Sequence, residues 1–135
     1  MRLLIDGNIL LDVLQRRDPH FSASLDLWRL CETEQAEGCV SVLTFANLVY
    51  VMRRELSAEK LEEVWKKLGL IFRFVELTPA DLTAAAALGW TDFEDAVQAV
   101  TAERLHADCV ITRNLRDFRE SPVPALTPAE LLARF

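Results

Sequence analysis

The chain has 135 residues, of which 51% are hydrophobic and 27% charged, with a net charge of −6. That length holds one domain (1–135) with a core of its own, and the balance excludes a disordered or fibrous chain. The acidic total excludes a general nucleic-acid coat protein, which needs a basic face to displace counterions from phosphates.

Arg2 to Ile5 predicts a short strand ending at Asp6-Gly7, after which Ile9, Leu10, Val13 and Leu14 repeat at helical spacing. Asp18-Pro19 reads as the start of a second helix with Phe21, Leu25 and Trp28 on one face, ended by Gly38. Cys39 to Ser41 is the second strand candidate. Phe45, Leu48, Val49 and Met52 give a third helix, and Leu61, Val64, Trp65 and Leu68 a fourth, capped by Ser57 and closed by Gly69. Ile71 to Leu77 alternates as a strand, and Thr78-Pro79-Ala80-Asp81 opens a helix.

Thr91 begins a capping-box pattern, and Phe93, Ala96, Val97 and Val100 carry it into a helix reaching about His106. Cys109 to Ile111 returns to the sheet. A short apolar piece at Val123 to Leu126 precedes a last helix opened by Thr127-Pro128-Ala129-Glu130. Strands separated by helices predict an α/β fold: a three-layer α/β/α sandwich with a central parallel sheet of four or five strands. In such sheets, ligand-binding groups collect beyond the carboxyl ends of the strands, where Asp6 and the segment Thr112 to Asp117 fall.

No stretch approaches the ~20 apolar residues of a membrane helix, so a cytoplasmic protein is expected. Cys31, Cys39 and Cys109 form no C-x-x-C pair and read as small buried hydrophobes. His20 and His106 lie in no site pattern and read as structural or solvated.

Three segments carry candidate chemistry. Asp6-Gly7-Asn8 sits at a strand-to-helix turn, which suits both a helix cap and a metal ligand. Asp92 and Asp95, three apart in a helix, stand about 60° apart on nearly one face, with Glu94 pointing elsewhere. One acid in a first turn is ordinary dipole chemistry, whereas two neighbouring like charges ask for a cation. Thr112-Arg113-Asn114-Leu115-Arg116-Asp117-Phe118 gathers hydroxyl, amide, carboxylate and guanidinium groups, as an ordinary polar loop or as a region that orients water and phosphate.

Together these segments resemble the PIN-domain ribonucleases. The resemblance is carried by Leu3-Leu4-Ile5-Asp6-Gly7-Asn8-Ile9-Leu10-Leu11-Asp12, by Asp92-Phe93-Glu94-Asp95-Ala96, by Val110 through Phe118, and by the closing Leu126-Thr127-Pro128-Ala129-Glu130-Leu131-Leu132. It implies a parallel sheet between helices and a metal-dependent endoribonuclease in which Mg²⁺ or Mn²⁺ activates water against a phosphodiester of RNA. It implies Asp6, Asp92 and Asp95 as metal ligands that converge at the sheet edge, and Asp117 beside them as a catalytic acid. Asn8, Thr44, Asn47, Thr112 and Asn114 are the implied supporting polar groups. Arg113 and Arg116 are implied at substrate phosphates, and Arg16 and Arg17 follow the first helix within reach of RNA. Many members are VapC-type toxins, so the resemblance also implies a homodimer and an antitoxin partner.

One departure stands out. The family commonly reads Ser-x-x-Thr-x-x-Glu in the third helix, and this chain reads Ser41-Val42-Leu43-Thr44-Phe45-Ala46-Asn47. An amide offers a carbonyl oxygen but no charge. Weaker metal chemistry follows, as does the alternative of a catalytically weakened PIN-like module that binds RNA or protein. Restoring the acid with Asn47→Glu is expected to tighten metal binding. A phosphoaspartyl hydrolase fits less well, because Asp6 is followed two places later by Asn8 and no late Lys follows a strand.

Overall fold

Leu3, Leu4 and Ile5 are all fully buried, and successive strand side chains point to opposite faces, so the strand they form is covered on both. In the computed structural model, which describes residues 1–135, this strand is β1 (Arg2–Ile5). Leu3 and Ile5 enter one core with Ile9, Leu27, Trp28, Leu48 and Leu131. Leu4 enters another with Val75, Ala99, Ala102 and Phe118.

The chain runs β1, α1 (Gly7–Leu14), α2 (Phe21–Glu32), β2 (Glu37–Ser41), α3 (Val42–Met52), α4 (Ala58–Ile71) and β3 (Arg73–Val75). It continues with α5 (Pro79–Leu88), α6 (Phe93–Arg104), β4 (Cys109–Ile111), a 3-10 turn at Leu115–Phe118, β5 (Ala125–Leu126) and α7 (Pro128–Leu132). The five strands are parallel in the order β3-β2-β1-β4-β5, and the helices cover both faces as a three-layer α/β/α sandwich. The chain builds outward from β1 to β3 and then returns to the other side of β1 for β4. That reversal opens a crevice beyond the carboxyl ends of β1 and β4, where ligands bind in open α/β sheets.

Several boundaries differ from the sequence expectation. The Asp18-Pro19 peptide is cis and caps nothing: His20 precedes α2 without a side-chain cap bond, and the helix stops at Glu32. Gly38 lies inside β2 rather than at the end of a helix, because a Cβ there would meet Cys31 Sγ and a Phe72 ring carbon, each at 2.7 Å. α4 continues through Gly69 to Ile71, which leaves β3 three residues pairing with Cys39, Val40 and Ser41 of β2. The Thr-Pro openings of α5 and α7 are full capping boxes as expected.

All three cysteines are free and buried. Burial pushes the Cys31 thiol up to about 12 and the Cys109 thiol up to about 11, as suits small core side chains. No helix is long and apolar enough to cross a membrane.

Candidate active site

Asp6 follows β1 and caps α1 from an extended backbone conformation. Because β1 and β4 pair in register at Ile5 and Ile111, the residues that follow them, Asp6 and Thr112, come side by side. The Gly7 amide donates to Asp6 Oδ1 at 2.8 Å, and the Thr112 hydroxyl donates to Oδ2 at 2.8 Å. The Asn114 backbone N–H in turn donates to Thr112 Oγ1 at 3.0 Å. Gly7 lets the turn pass close to α3, since a Cβ would stand 3.3 Å from Thr44 Cγ2, a tight contact.

α6 begins at Asp92, whose Oδ1 accepts from the Asp95 amide at 3.1 Å. The cap is therefore Asp92 and not Thr91. Asp95 lies in the first turn, 5% exposed, and its Oδ2 has no hydrogen-bond partner. One turn on, the Gln98 amide donates to Thr44 Oγ1 at 3.0 Å, and the Ser41 hydroxyl donates to the same oxygen at 3.3 Å. This buried polar chain ties α6 to the end of β2 and floors the crevice.

Above it opens a cavity of about 360 Å³. The carboxylates of Asp6, Asp92, Glu94 and Asp95 line it, together with the amides of Asn8, Asn47 and Asn114, and no Lys, Arg or His does. Burial pushes the Asp6 carboxyl above its ordinary value, against the lowering pull of the Thr112, Gly7 and Gln98 hydrogen bonds. Asp95 is pushed up to about 7, first by burial and then by the charges of Asp92, Asp6, Asp117 and Glu94. Carboxylates that crowd one another without a cation leave a local demand for positive charge. Asp6 comes from the end of β1 and Asp92, Glu94 and Asp95 from the start of α6, and no group of three or more His, Cys, Asp or Glu side chains is near enough to hold one ion as they stand.

The family model of the PIN domain matches residues 2–116. The chain belongs to the PIN domain family. A comparison with curated protein sequences finds no match. Among solved structures the fold is similar to VapBC-1 from nontypeable Haemophilus influenzae, at 15% identity and TM-score 0.73, covering 96% of this chain and 99% of that one. It is also similar to VapBC2 from Rickettsia felis bound to a promoter DNA fragment, at 15% identity and TM-score 0.71, covering 94% and 98%. A toxin-antitoxin complex from Klebsiella pneumoniae matches at 22% identity and TM-score 0.68, covering 93% and 97%.

The other sequence-derived positions of this PIN domain scatter around the cavity. Asp117 and Arg116 line a neighbouring hollow that shares Asp92 with it, and the Asp117 charge still reaches Asp95. Arg113, read from the sequence as a substrate-phosphate contact, does not line the carboxylate cavity and is engaged in an ion pair with Asp12 at 3.1 Å. Arg16 lies over the Phe21 ring, and Arg17 donates to Gln15 Oε1, both outside the cavity wall. His20 and His106 are also absent from that wall.

Asn47 does line the cavity, but its amide is already engaged, donating to Glu94 Oε1 at 2.9 Å. Glu94 itself is a second correction: it faces the cavity, not elsewhere. The helical wheel failed there because Asp92 is the cap and has no helical backbone conformation, so angles counted from it do not apply. Gln98 was missed altogether. Its signal is a polar residue three places after Asp95 on an otherwise Ala and Val stripe, the pattern of a buried polar group that needs partners.

Proposed function

We propose that the chain is a cytoplasmic endoribonuclease that uses Mg²⁺ or Mn²⁺ held by Asp6, Asp92 and Asp95. The observation that carries this reading is Asp95. Its carboxylate is 5% exposed, one oxygen has no partner, and the charged groups of the cavity it lines are all acids, set among the amides of Asn8, Asn47 and Asn114 with no Lys, Arg or His. Hard oxygen donors around a cavity without cationic side chains suit a hard divalent ion.

A bound ion would lower the pKa of water and offset phosphate charge at the cavity, whose own lining holds no cationic side chain. The residues supply placement. Gly7 and Thr112 fix both oxygens of Asp6, and Asp92 is fixed by its cap bond to α6. Asn8 and Asn114 offer neutral donors at the cavity wall for a phosphate or its water, and Arg116 borders the adjoining hollow as a cation for the RNA backbone. Asp117, in that hollow, is a supporting acid rather than part of the wall.

Family membership and the likeness to toxin-antitoxin complexes support an antitoxin protein as partner. A homodimer with an isologous interface is part of the same proposal, and the exposed Tyr50 and Val51 near the end of α3 are apolar surface for it to cover. The alternative of a weakened module that binds without cutting rests on Asn47, which leaves α3 without a carboxylate at that position.

A fluorogenic single-stranded RNA, incubated with purified protein in Mg²⁺ or Mn²⁺, tests the proposal. Cleavage should require the metal, stop with chelator, and fall at least ~10²-fold in Asp95→Asn and in Asp6→Asn, the scale on which losing one electrostatic catalytic group is felt. Metal-independent cleavage, or full activity in both variants, would overturn it.

A further inference from the structure

We propose that Glu94 is a further carboxylate of this site and that Asn47 is the residue that positions it, so that the acid missing from α3 is supplied from α6. The inference rests on the metal-dependent reading above and deepens it.

Glu94 lines the same cavity as Asp6, Asp92 and Asp95. Its one hydrogen bond comes from Asn47 Nδ2 at 2.9 Å, across 47 residues of sequence and across the cavity mouth from α3 to α6. Oε1 is thereby anchored while Oε2 takes no hydrogen bond, and Glu94 makes no ion pair. A solvated surface glutamate has no need of such an anchor, and a long side chain without one loses rotamer freedom on binding an ion. Asp95, whose buried Oδ2 has no partner, lines the same cavity and leaves an unmet polar group beside it.

With Asn at position 47 the cavity is lined by four carboxylates, those of Asp6, Asp92, Glu94 and Asp95. The amide performs a task that a carboxylate at 47 could not, because only an N–H donates to Glu94. Asn47 is thus a positioning residue, and Glu94 a ligand or a close neighbour of the ion.

Mn²⁺ titrated calorimetrically into the metal-free full chain tests this, with the metal-free melting temperature recorded alongside and Asp95→Asn as control. Glu94→Gln should weaken Mn²⁺ binding about tenfold, the worth of roughly 1.4 kcal/mol, without lowering the metal-free melting temperature. Asn47→Ala should weaken it about threefold, and the double variant should be no weaker than Glu94→Gln alone, since Asn47 acts through Glu94. If Asp95→Asn loses binding while Glu94→Gln stays within twofold of the parent, Glu94 is a first-turn helix acid and this inference falls alone. Additive effects in the double variant would remove the positioning role of Asn47. If Asp95→Asn binds as the parent does, the metal reading falls, and this inference with it.

Discussion

Asp12 and Asp95 are both buried aspartates, 0% and 5% exposed, and their surroundings are opposite. Asp12 Oδ1 accepts from Arg113 Nη2 at 3.1 Å and Oδ2 from the Ser24 hydroxyl at 3.2 Å, so α1, α2 and the segment after β4 compensate its charge internally. Asp95 has acids for neighbours and an oxygen with no partner. Burial of a carboxylate therefore says little by itself. What separates a fastener from a candidate site is whether the fold supplies the countercharge or leaves it to a ligand.

The largest test of that contrast is on the Asp12 side. Arg113→Met leaves a fully buried carboxylate unpaired, and removal of one partner of a buried pair costs about 3 kcal/mol or more. Urea unfolding should show a loss of that size, with most of it recovered in the double variant Arg113→Met/Asp12→Leu, where no buried charge is left. A loss below ~1 kcal/mol would mean that water reaches Asp12 after all, and the two sites would then differ less than their hydrogen bonds imply.

On the Asp95 side the expected effect is a pH dependence of opposite sense to that of a paired acid. The folded-state value is raised from 3.8 to about 7, so between these values the folded chain binds more protons than the unfolded one. Stability of chelator-treated protein must then fall as pH rises from about 4 to about 7. Each tenfold in proton affinity is worth about 1.4 kcal/mol, which makes the total a few kcal/mol at most. Asp6, raised in the same direction, adds to the slope. Denaturant midpoints across that window should decline in the parent and decline much less in Asp95→Asn, while saturating Mn²⁺ flattens the curve. Because Glu37, Asp81 and Glu130 are held below their ordinary values and pull the slope the other way, the difference between parent and Asp95→Asn is the test, and identical curves would show that Asp95 is ionised and compensated in the folded chain.

The layers and the parallel sheet follow from features the sequence displays plainly: the unbroken apolar run of Leu3 to Ile5, helices between the strands, and the Thr-Pro capping boxes of α5 and α7, whereas the strand order rests on long-range pairing that no local pattern displays. Asp6, Asp92 and Asp95 were legible because each stands at the end of a strand or the start of a helix, where local geometry fixes the side chain. The turn of Arg113 toward Asp12, the direction of Glu94 and the bond that Asn47 makes to it were not, although Asn47 itself was read at the site and lines the cavity. Each of these side chains is placed by a long-range partner, Asp12 for the first and one another for the other two, and a flexible polar side chain carries no periodic signal of which way it turns. Gly38 misled for a similar reason, since its strand position reflects crowding by Cys31 and Phe72, which come from α2 and from the residue before β3.

The smallest expected effect concerns Asn47, and it reverses what the sequence alone suggests. Restoring the family acid by Asn47→Glu was expected to tighten metal binding, but the Asn47 amide nitrogen stands 2.9 Å from Glu94 Oε1. A carboxylate in its place gives up that donor and sets like charge against like charge at an exposed cavity mouth, where screening keeps the repulsion modest. Mn²⁺ affinity should change by less than about threefold, and the metal-free melting temperature should drop by a few degrees, the shift that ~1 kcal/mol produces in a domain of this size. The informative partner is Asn47→Glu/Glu94→Gln, which carries the acid back to α3 without adding a charge. It should recover the metal-free melting temperature and bind Mn²⁺ about as the parent does, whereas Glu94→Gln alone binds more weakly. If Asn47→Glu alone tightens Mn²⁺ tenfold with Glu94 in place, the ion sits nearer α3 than the hydrogen bond to Glu94 implies. The crowded acids would then have room for a further charge, and the contrast with the compensated Asp12 would be sharper still.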